Sequence, residues 1–383
     1  MASAADEGAP VNEPGTRPKV YSIAIEVTAH CQQKCSYCYN AWREDNGAGM
    51  EAGTQKKLLQ RVERVLSRLE VDHVTVTGGE PFARKDVWEL LDVVSTHRVG
   101  IQIISNGGLI DDAIAERLAP YRPHYVQVTL DGPTAELHDA HVGGEGHFSK
   151  TLAGIAALRR AGVTVVGCTV ITRKNAARLA EIITLFRSLG VRHMALSRFS
   201  PAGYAARHAA ELLPSRDDLL IAFRQAIPFT KGDDPMRFSC TMPVPPCAVE
   251  TEELAPLEFG VCAIGTTFQE FALGPDGSLR HCTLHGSSLG DVLEVDPAEI
   301  VTSRAVTEYK RTLPEFCVGC SHASTCGGGC GAASEWVLGA RKFPDPLVWQ
   351  HVDDDFGERL EAERSGNAKA RTSGSKVRLD VIQ

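Results

Sequence analysis

The chain has 383 residues, 43% hydrophobic and 23% charged, with 40 basic against 48 acidic side chains and a formal charge of −8. At about 150 residues per domain this length implies two or three domains with a sizeable core, and the composition excludes a disordered chain and a membrane protein. The acidic balance excludes a broad nucleic-acid footprint, which needs a basic face.

Residues 1–18, rich in Ala, Gly, Pro and acids, read as a flexible N-terminus. They hold no basic stretch followed by an apolar run, so no signal peptide is expected. No window approaches about 18 continuous apolar residues, so no membrane span is expected. A cytoplasmic setting follows, where thiols stay reduced. Residues 19–230 alternate strand-like and helical patterns. Runs at 21–28, 73–77, 100–105, 124–130, 163–172 and 191–197 are rich in Val and Ile and nearly continuous in apolar character. Between them, Leu58, Val62, Val65, Leu66 and Leu69 form one helical stripe, with Thr54 as its N-cap. Val87, Leu90, Leu91 and Val94 form a second. Leu179, Ile182, Ile183, Phe186 and Leu189 form another, opened by Asn175 and closed by Gly190. Six strands with intervening helices predict an α/β fold with a parallel sheet, open and doubly wound or barrel-like. Residues 231–352 form a Cys- and Gly-rich region entered through a Pro-rich bridge at 240–246. Residues 353–383 are a charged tail in which 376–382 alternates enough for an edge strand.

Twelve cysteines are too dilute over this length for a disulfide scaffold and too clustered for random core thiols. Cys31, Cys35 and Cys38 form a C-x3-C-x2-C run directly after the first strand. Three such thiolates can wrap one inorganic centre, and on a four-iron cubane they leave one iron open for a ligand. The alternative is zinc, whose structural sites normally close with four ligands at other spacings. Thr77-Gly78-Gly79-Glu80-Pro81 follows the second strand, where two glycines permit close backbone approach and the proline fixes the exit. Ser105-Asn106-Gly107 ends the third strand and Thr129-Leu130-Asp131-Gly132 the fourth. Each alone is an ordinary turn. Together they share the C-terminal ends of predicted strands, where parallel α/β sheets and barrels place their sites. Further on, Cys262, Gly277 and Cys282 read C-x14-G-x4-C, and Cys317, Cys320, Cys326 and Cys330 read C-x2-C-x5-C-x3-C. On spacing alone this array fits metal centres, with a pair of structural zinc sites as the alternative to iron–sulfur clusters.

On these motifs the chain resembles the radical S-adenosylmethionine (radical SAM) superfamily, and its C-terminal array resembles the SPASM auxiliary-cluster extension of that family. The resemblance implies a partial (β/α)6 barrel and a [4Fe–4S] cluster on Cys31, Cys35 and Cys38. S-adenosylmethionine would sit on the open iron. Its reductive cleavage to a 5′-deoxyadenosyl radical would abstract hydrogen from substrate. It further implies that Tyr37 packs on the adenine, that Gly78, Gly79, Glu80 and Pro81 serve the SAM amino group, and that Ser105 and Asn106 lie by the ribose and carboxylate. Thr129 and Asp131 belong to the matching segment of the fourth strand. Two auxiliary iron–sulfur clusters are implied, one on Cys262, Cys282 and Cys330, the other on Cys317, Cys320 and Cys326.

The sequence departs from the family at two places. The arginine that follows a His-Asp pair in relatives is missing after His138-Asp139; Arg173 or Arg198 could stand in, although each read singly is a surface arginine. The seventh SPASM cysteine is also missing, and Cys240, Cys247, Asp345, His351 or an open iron could make up the ligand count. Cys168 reads as a buried core thiol. Within the subgroup the closest look is to peptide maturases of the pyrroloquinoline quinone and mycofactocin pathways, with T-G-G-E-P-F, L-D-G-P-T-A-E and V-I-T-R-K-N as shared segments. The expected substrate is therefore a ribosomally made precursor peptide. A separate small recognition protein and a flavodoxin-type or ferredoxin-type reductant are the expected partners, with no nucleic acid and no membrane. The alternatives are the same chemistry on a tetrapyrrole or sugar, sulfatase-type protein maturation, or a non-catalytic iron–sulfur or zinc protein.

Overall fold

The computed structural model describes residues 16–43, 55–309 and 313–349. The six predicted strands are present as β1 (Lys19–Glu26), β2 (Glu70–Thr77), β3 (Gly100–Ser105), β4 (Tyr125–Thr129), β5 (Val165–Ile171) and β6 (His193–Arg198). They pair in sequence order and all in parallel. The helices between them are α1 (Gln55–Arg68), α2 (Val87–Thr96), α3 (Asp112–Leu118), α4 (Ala135–Val142), α5 (His147–Arg160) and α6 (Leu179–Ser188). The α1 stripe is buried at Leu58, Val62, Val65 and Leu66, as its spacing requires; the N-cap expected at Thr54 lies outside the described residues. Asn175 does not cap α6. Its amide donates to Asp131 O and Val170 O, both at 3.0 Å, and so ties the ends of β4 and β5 together.

Strand alternation sets the chemistry of the two sheet faces. Val74, Val76, Ile101, Ile103, Val126 and Val128 are buried in the apolar core beneath the helices. Their alternates Thr75, Thr77, Gln102, Tyr125, Gln127 and Thr129 line a central cavity. The strands are therefore covered on both faces, but the inner one mixes these polar side chains with Ala24, Ile104, Cys168 and Val170 rather than being continuously apolar. Cys168 is buried as expected, and it also belongs to the cavity wall.

The sheet is larger than six strands. β7 (Arg237–Cys240) and β8 (Glu258–Phe259) extend it beyond β6, and β9 (Glu270–Leu273) extends it beyond β1. β10 (Ser278–Arg280) and β11 (Gly290–Asp291) continue it antiparallel. β9 runs parallel to β1, with Ser22 opposite Glu270 and Ile25 opposite Leu273. β7 begins before the Pro-rich bridge and was not expected, because its four residues, R-F-S-C, are too few to show a pattern. Strands on either side of residue 230 thus belong to one hydrogen-bonded sheet, joined where β7 pairs with β6.

Two fully buried ion pairs join the first six strands to the Cys-rich region. Arg280 of β10 pairs with Glu26 at the end of β1. Arg198 at the end of β6 pairs with Asp345. No described helix is long and apolar enough to cross a membrane.

Candidate active site

The segment 31–38 follows β1 and is held by main-chain bonds on both sides. Lys34 N–H donates to Val142 O at 2.7 Å, Ser36 N–H to His141 O at 3.1 Å, and Ala205 N–H to Cys38 O at 2.9 Å. The G-G-E-P turn packs against its approach. Gly79 N–H donates to Thr28 O at 2.6 Å and Glu80 N–H to His30 O at 2.9 Å. A Cβ on Gly79 would lie 2.1 Å from His30 O, and Gly78 has φ +130°, so both positions require glycine. Gly143, where the family arginine is missing nearby, has no room for a Cβ either: it would lie 2.4 Å from Lys34 O. The end of α4 is thus used for close approach to the cysteine loop.

Glu80 is wholly buried and joins the ends of β2 and β3. Its carboxylate accepts from Ser105 Oγ at 2.8 Å, Asn106 N–H at 2.9 Å and Phe82 N–H at 3.1 Å. Burial outweighs these three bonds and pushes its pKa up to about 7. The folded state therefore holds a proton here at a pH where the unfolded chain has lost it. Glu80 contributes most stability below its unfolded value, near 4.5, and loses it as pH rises through about 7. Wild type should accordingly gain stability relative to Glu80→Gln as pH is lowered from about 8 toward 5. Anaerobic thermal unfolding of both proteins across that range reads the difference; a pH-independent gap would contradict it.

One cavity of about 500 Å³ collects most of the predicted site, within the usual range for small-ligand sites. Cys31, Cys35 and Cys38 line it, with Tyr37, Gly78, Gly79, Ser105, Asn106 and Thr129. Glu80 and Asp131 are fully buried outside its lining, as is nearly all of Pro81. Asp131 accepts from Val170 N–H at 2.8 Å, and Asp131 N–H donates to His138 Nδ1 at 3.2 Å. His138 is thereby an acceptor, and burial holds it neutral with a pKa lowered to about 4. Tyr37 packs with Phe199, Ala205, Leu212 and Leu213, its hydroxyl beside Asp131 and Cys35. Asn106 Nδ2 reaches Cys31 Sγ at 3.6 Å.

Cys262, Cys282 and Cys330 line the same cavity. Cys282 lies close enough to Cys330 and Cys262 to feel their charge, and burial with that repulsion pushes its thiol up to about 12. Burial likewise raises Cys31 and Cys330 to about 11. Such thiols ionise when a metal centre binds among them, which is the chemistry a thiolate cradle needs. Among the described residues no three His, Cys, Asp or Glu side chains meet at the spacing of a single metal ion's ligands. A cubane spreads its cysteines over separate irons and takes a wider ring. Cys317, Cys320 and Cys326 form a second group outside the cavity wall.

The stand-ins for missing ligands are resolved in part. Arg198 is no surface arginine: its guanidinium pairs with Asp345 and donates to Pro243 O at 2.5 Å and Phe199 O at 3.4 Å. Arg173 donates to Ala210 O at 3.2 Å. Asp345 is spent as well. Besides Arg198, its carboxylate accepts from Cys330 N–H at 2.7 Å and Leu347 N–H at 2.9 Å. His351 lies outside the described residues.

Residues 25–186 match the radical SAM superfamily. That stretch is a radical SAM domain. Over 371 residues this radical SAM protein is 29% identical to the mycofactocin maturase MftC of Mycobacterium tuberculosis (strain CDC 1551 / Oshkosh), spanning 94% of this chain and 91% of that one. It is 26% identical over 331 residues to the PqqA peptide cyclase of Granulibacter bethesdensis, with 85% and 86% covered. Its fold matches Streptococcus suis SuiB bound to the precursor peptide SuiA, with a TM-score of 0.65, 17% identity and 86% and 75% of the two chains covered. The expected radical SAM barrel with a Cys-rich C-terminal region is therefore the fold, and the protein is an enzyme rather than a structural or electron-carrying protein. A radical SAM domain implies a [4Fe–4S] cluster and S-adenosylmethionine, and the convergence of Cys31, Cys35 and Cys38 on one hollow fits both.

Glu270 was not expected. Its carboxylate lines the cavity and accepts from Ser22 Oγ and Thr75 Oγ1, both at 2.9 Å, while burial raises its pKa. No local motif marks it; only the non-local pairing of β9 with β1 brings it inside.

Proposed function

We propose that this radical SAM enzyme matures a ribosomally made precursor peptide by hydrogen abstraction, leading to crosslinking, decarboxylation or epimerisation. The observation that carries the reading is the shared cavity: Cys31, Cys35 and Cys38 face the same space as Cys262, Cys282 and Cys330. The relatives named as a mycofactocin maturase and a PqqA peptide cyclase, similar over most of their length, support it.

In this reading Cys31, Cys35 and Cys38 hold the first cluster. Gly78, Gly79, Ser105, Asn106 and Thr129 form the wall for S-adenosylmethionine, Tyr37 flanks the adenine, and Glu80, Pro81 and Asp131 brace that wall. When bound, the cluster and S-adenosylmethionine supply the one-electron chemistry and the hydrogen-abstracting radical. The chain supplies position and shelter. Thr75, Gln102, Tyr125 and Gln127 offer polar contacts to substrate in the cavity, and Glu270 offers a carboxyl group as proton acceptor. Cys262, Cys282 and Cys330 hold one auxiliary cluster, and Cys317, Cys320 and Cys326 contribute to a second. The first faces the cavity and would take up an electron leaving the substrate, and the second would relay it. Residues 19–230 thus carry the radical chemistry and 231–352 the auxiliary clusters. A separate small recognition protein delivers the peptide, and a flavodoxin-type or ferredoxin-type protein supplies electrons, in the cytoplasm.

The test is co-expression with any short peptide found encoded beside this chain, followed by mass spectrometry. A loss of two hydrogens indicates a crosslink or desaturation, and a loss of carbon dioxide a decarboxylation. Epimerisation keeps the mass, so it is read by deuterium uptake from heavy water. An unaltered peptide in the presence of active S-adenosylmethionine cleavage would move the substrate to another class, such as a tetrapyrrole or a sulfatase.

A further inference from the structure

We infer that Cys247, from the Pro-rich bridge, is the fourth cysteine of the second auxiliary group and closes a Cys247, Cys317, Cys320, Cys326 ligand set around one iron–sulfur cluster. The inference rests on the reading that the Cys-rich region carries auxiliary clusters. A complete cubane takes four ligands. The C-x2-C-x5-C run gives three, and the segment 343–348 that should give the last has no cysteine.

The glycine run 327–329 brings the bridge to the other thiols. A Cβ on Gly328 would stand 3.6 Å from Cys317 Sγ, and one on Gly329 would stand 2.9 Å from Pro245 Cγ. Two adjacent residues of one turn therefore touch Cys317 and the bridge. The bridge is fixed on each side of Cys247. Pro243 O accepts from the buried Arg198, while Ala248 and Val249 N–H both donate back to Pro245 O, at 2.9 and 3.1 Å. Ala248 and Val249 are buried, yet Cys247 between this anchor and Pro246 is exposed, as is Cys320. The Cys247 thiol senses the charge of Cys326 and Cys320, and Cys317 senses those of Cys326, Cys247 and Cys320.

The competing donors are accounted for. Cys240 is 1% exposed within the apolar core and responds to burial alone. Both Asp345 oxygens are occupied by Arg198 and main-chain N–H groups.

The test uses the full chain with Cys31, Cys35 and Cys38 replaced by alanine, so that only auxiliary iron is read, after anaerobic reconstitution with iron and sulfide. Adding Cys247→Ala should remove between about one and four irons per chain and raise the EPR signal of an oxidised three-iron cluster. Cys247→Ser should keep the iron and shift that cluster's reduction potential. Cys240→Ala should match the parent in iron and EPR. Parent-like iron, EPR and potential in both Cys247 variants overturns the assignment and leaves the auxiliary clusters standing. A parent without iron overturns the auxiliary clusters themselves.

Discussion

Replacing Cys31, Cys35 and Cys38 together with alanine should reduce cleavage of S-adenosylmethionine to background. The expectation is chemical rather than structural. The loop carrying these thiols is held by main-chain bonds to Val142 O, His141 O and through Cys38 O, none of which involves sulfur. Alanine is also smaller than cysteine and meets no new neighbour. The variant should therefore fold, keep its auxiliary iron and lack product. Chromatographic assay of 5′-deoxyadenosine under a strong reductant reads the result directly. Cleavage persisting in the variant would sink the assignment of these three thiols to the cluster.

The second large effect lies away from the reacting centre. Asp345→Ala should destabilise the protein by roughly 3–5 kcal/mol, the usual result of leaving a buried charge without its partner, or about 4–6 °C in Tm for a protein of this size. Arg198 has no exposed side-chain surface to which its charge could turn. The loss also frees Cys330 N–H and Leu347 N–H, which both donate to the missing carboxylate. Replacing both partners, as in Arg198→Met with Asp345→Leu, should recover part of the loss, because two apolar groups leave no uncompensated charge. Anaerobic thermal unfolding of the two variants checks this. A Tm for Asp345→Ala within a degree of wild type would contradict the buried pair.

What the sequence discloses and what it hides divides along a physical line. The three thiols at 31–38 and the turns ending β2, β3 and β4 are local: each motif sits within a few residues of a strand whose pattern is readable by itself. Ser105 ends both the predicted run and β3, and the six strands lie where their Val and Ile runs place them. Long-range partners leave no such trace. Arg198 reads as a surface residue because its carboxylate is 147 positions away. Glu270 looks like any charged residue until β9 pairs with β1. Asn175 has the composition of a helix cap, but a buried amide gains more by joining two strand ends, since their carbonyls lie out of reach of water. Cys247 is equivocal in sequence because nothing in a Pro-rich stretch says which turn it will be pressed against.

The parallel pairing of β1 with β9 also sets a clock on biogenesis. β1 is among the first structure made, yet one of its two edges belongs to residues about 250 positions later. At about 5–20 residues per second that edge stays unmatched for roughly 10–50 s of synthesis. An unmatched strand edge is a template for wrong partners. A chain stopped at residue 230 would hold it open permanently, together with the buried carboxylate of Glu26, whose arginine lies on β10. The first six strands therefore form a scaffold that becomes self-sufficient only when the Cys-rich region arrives to match the open edge of β1 and the carboxylate of Glu26.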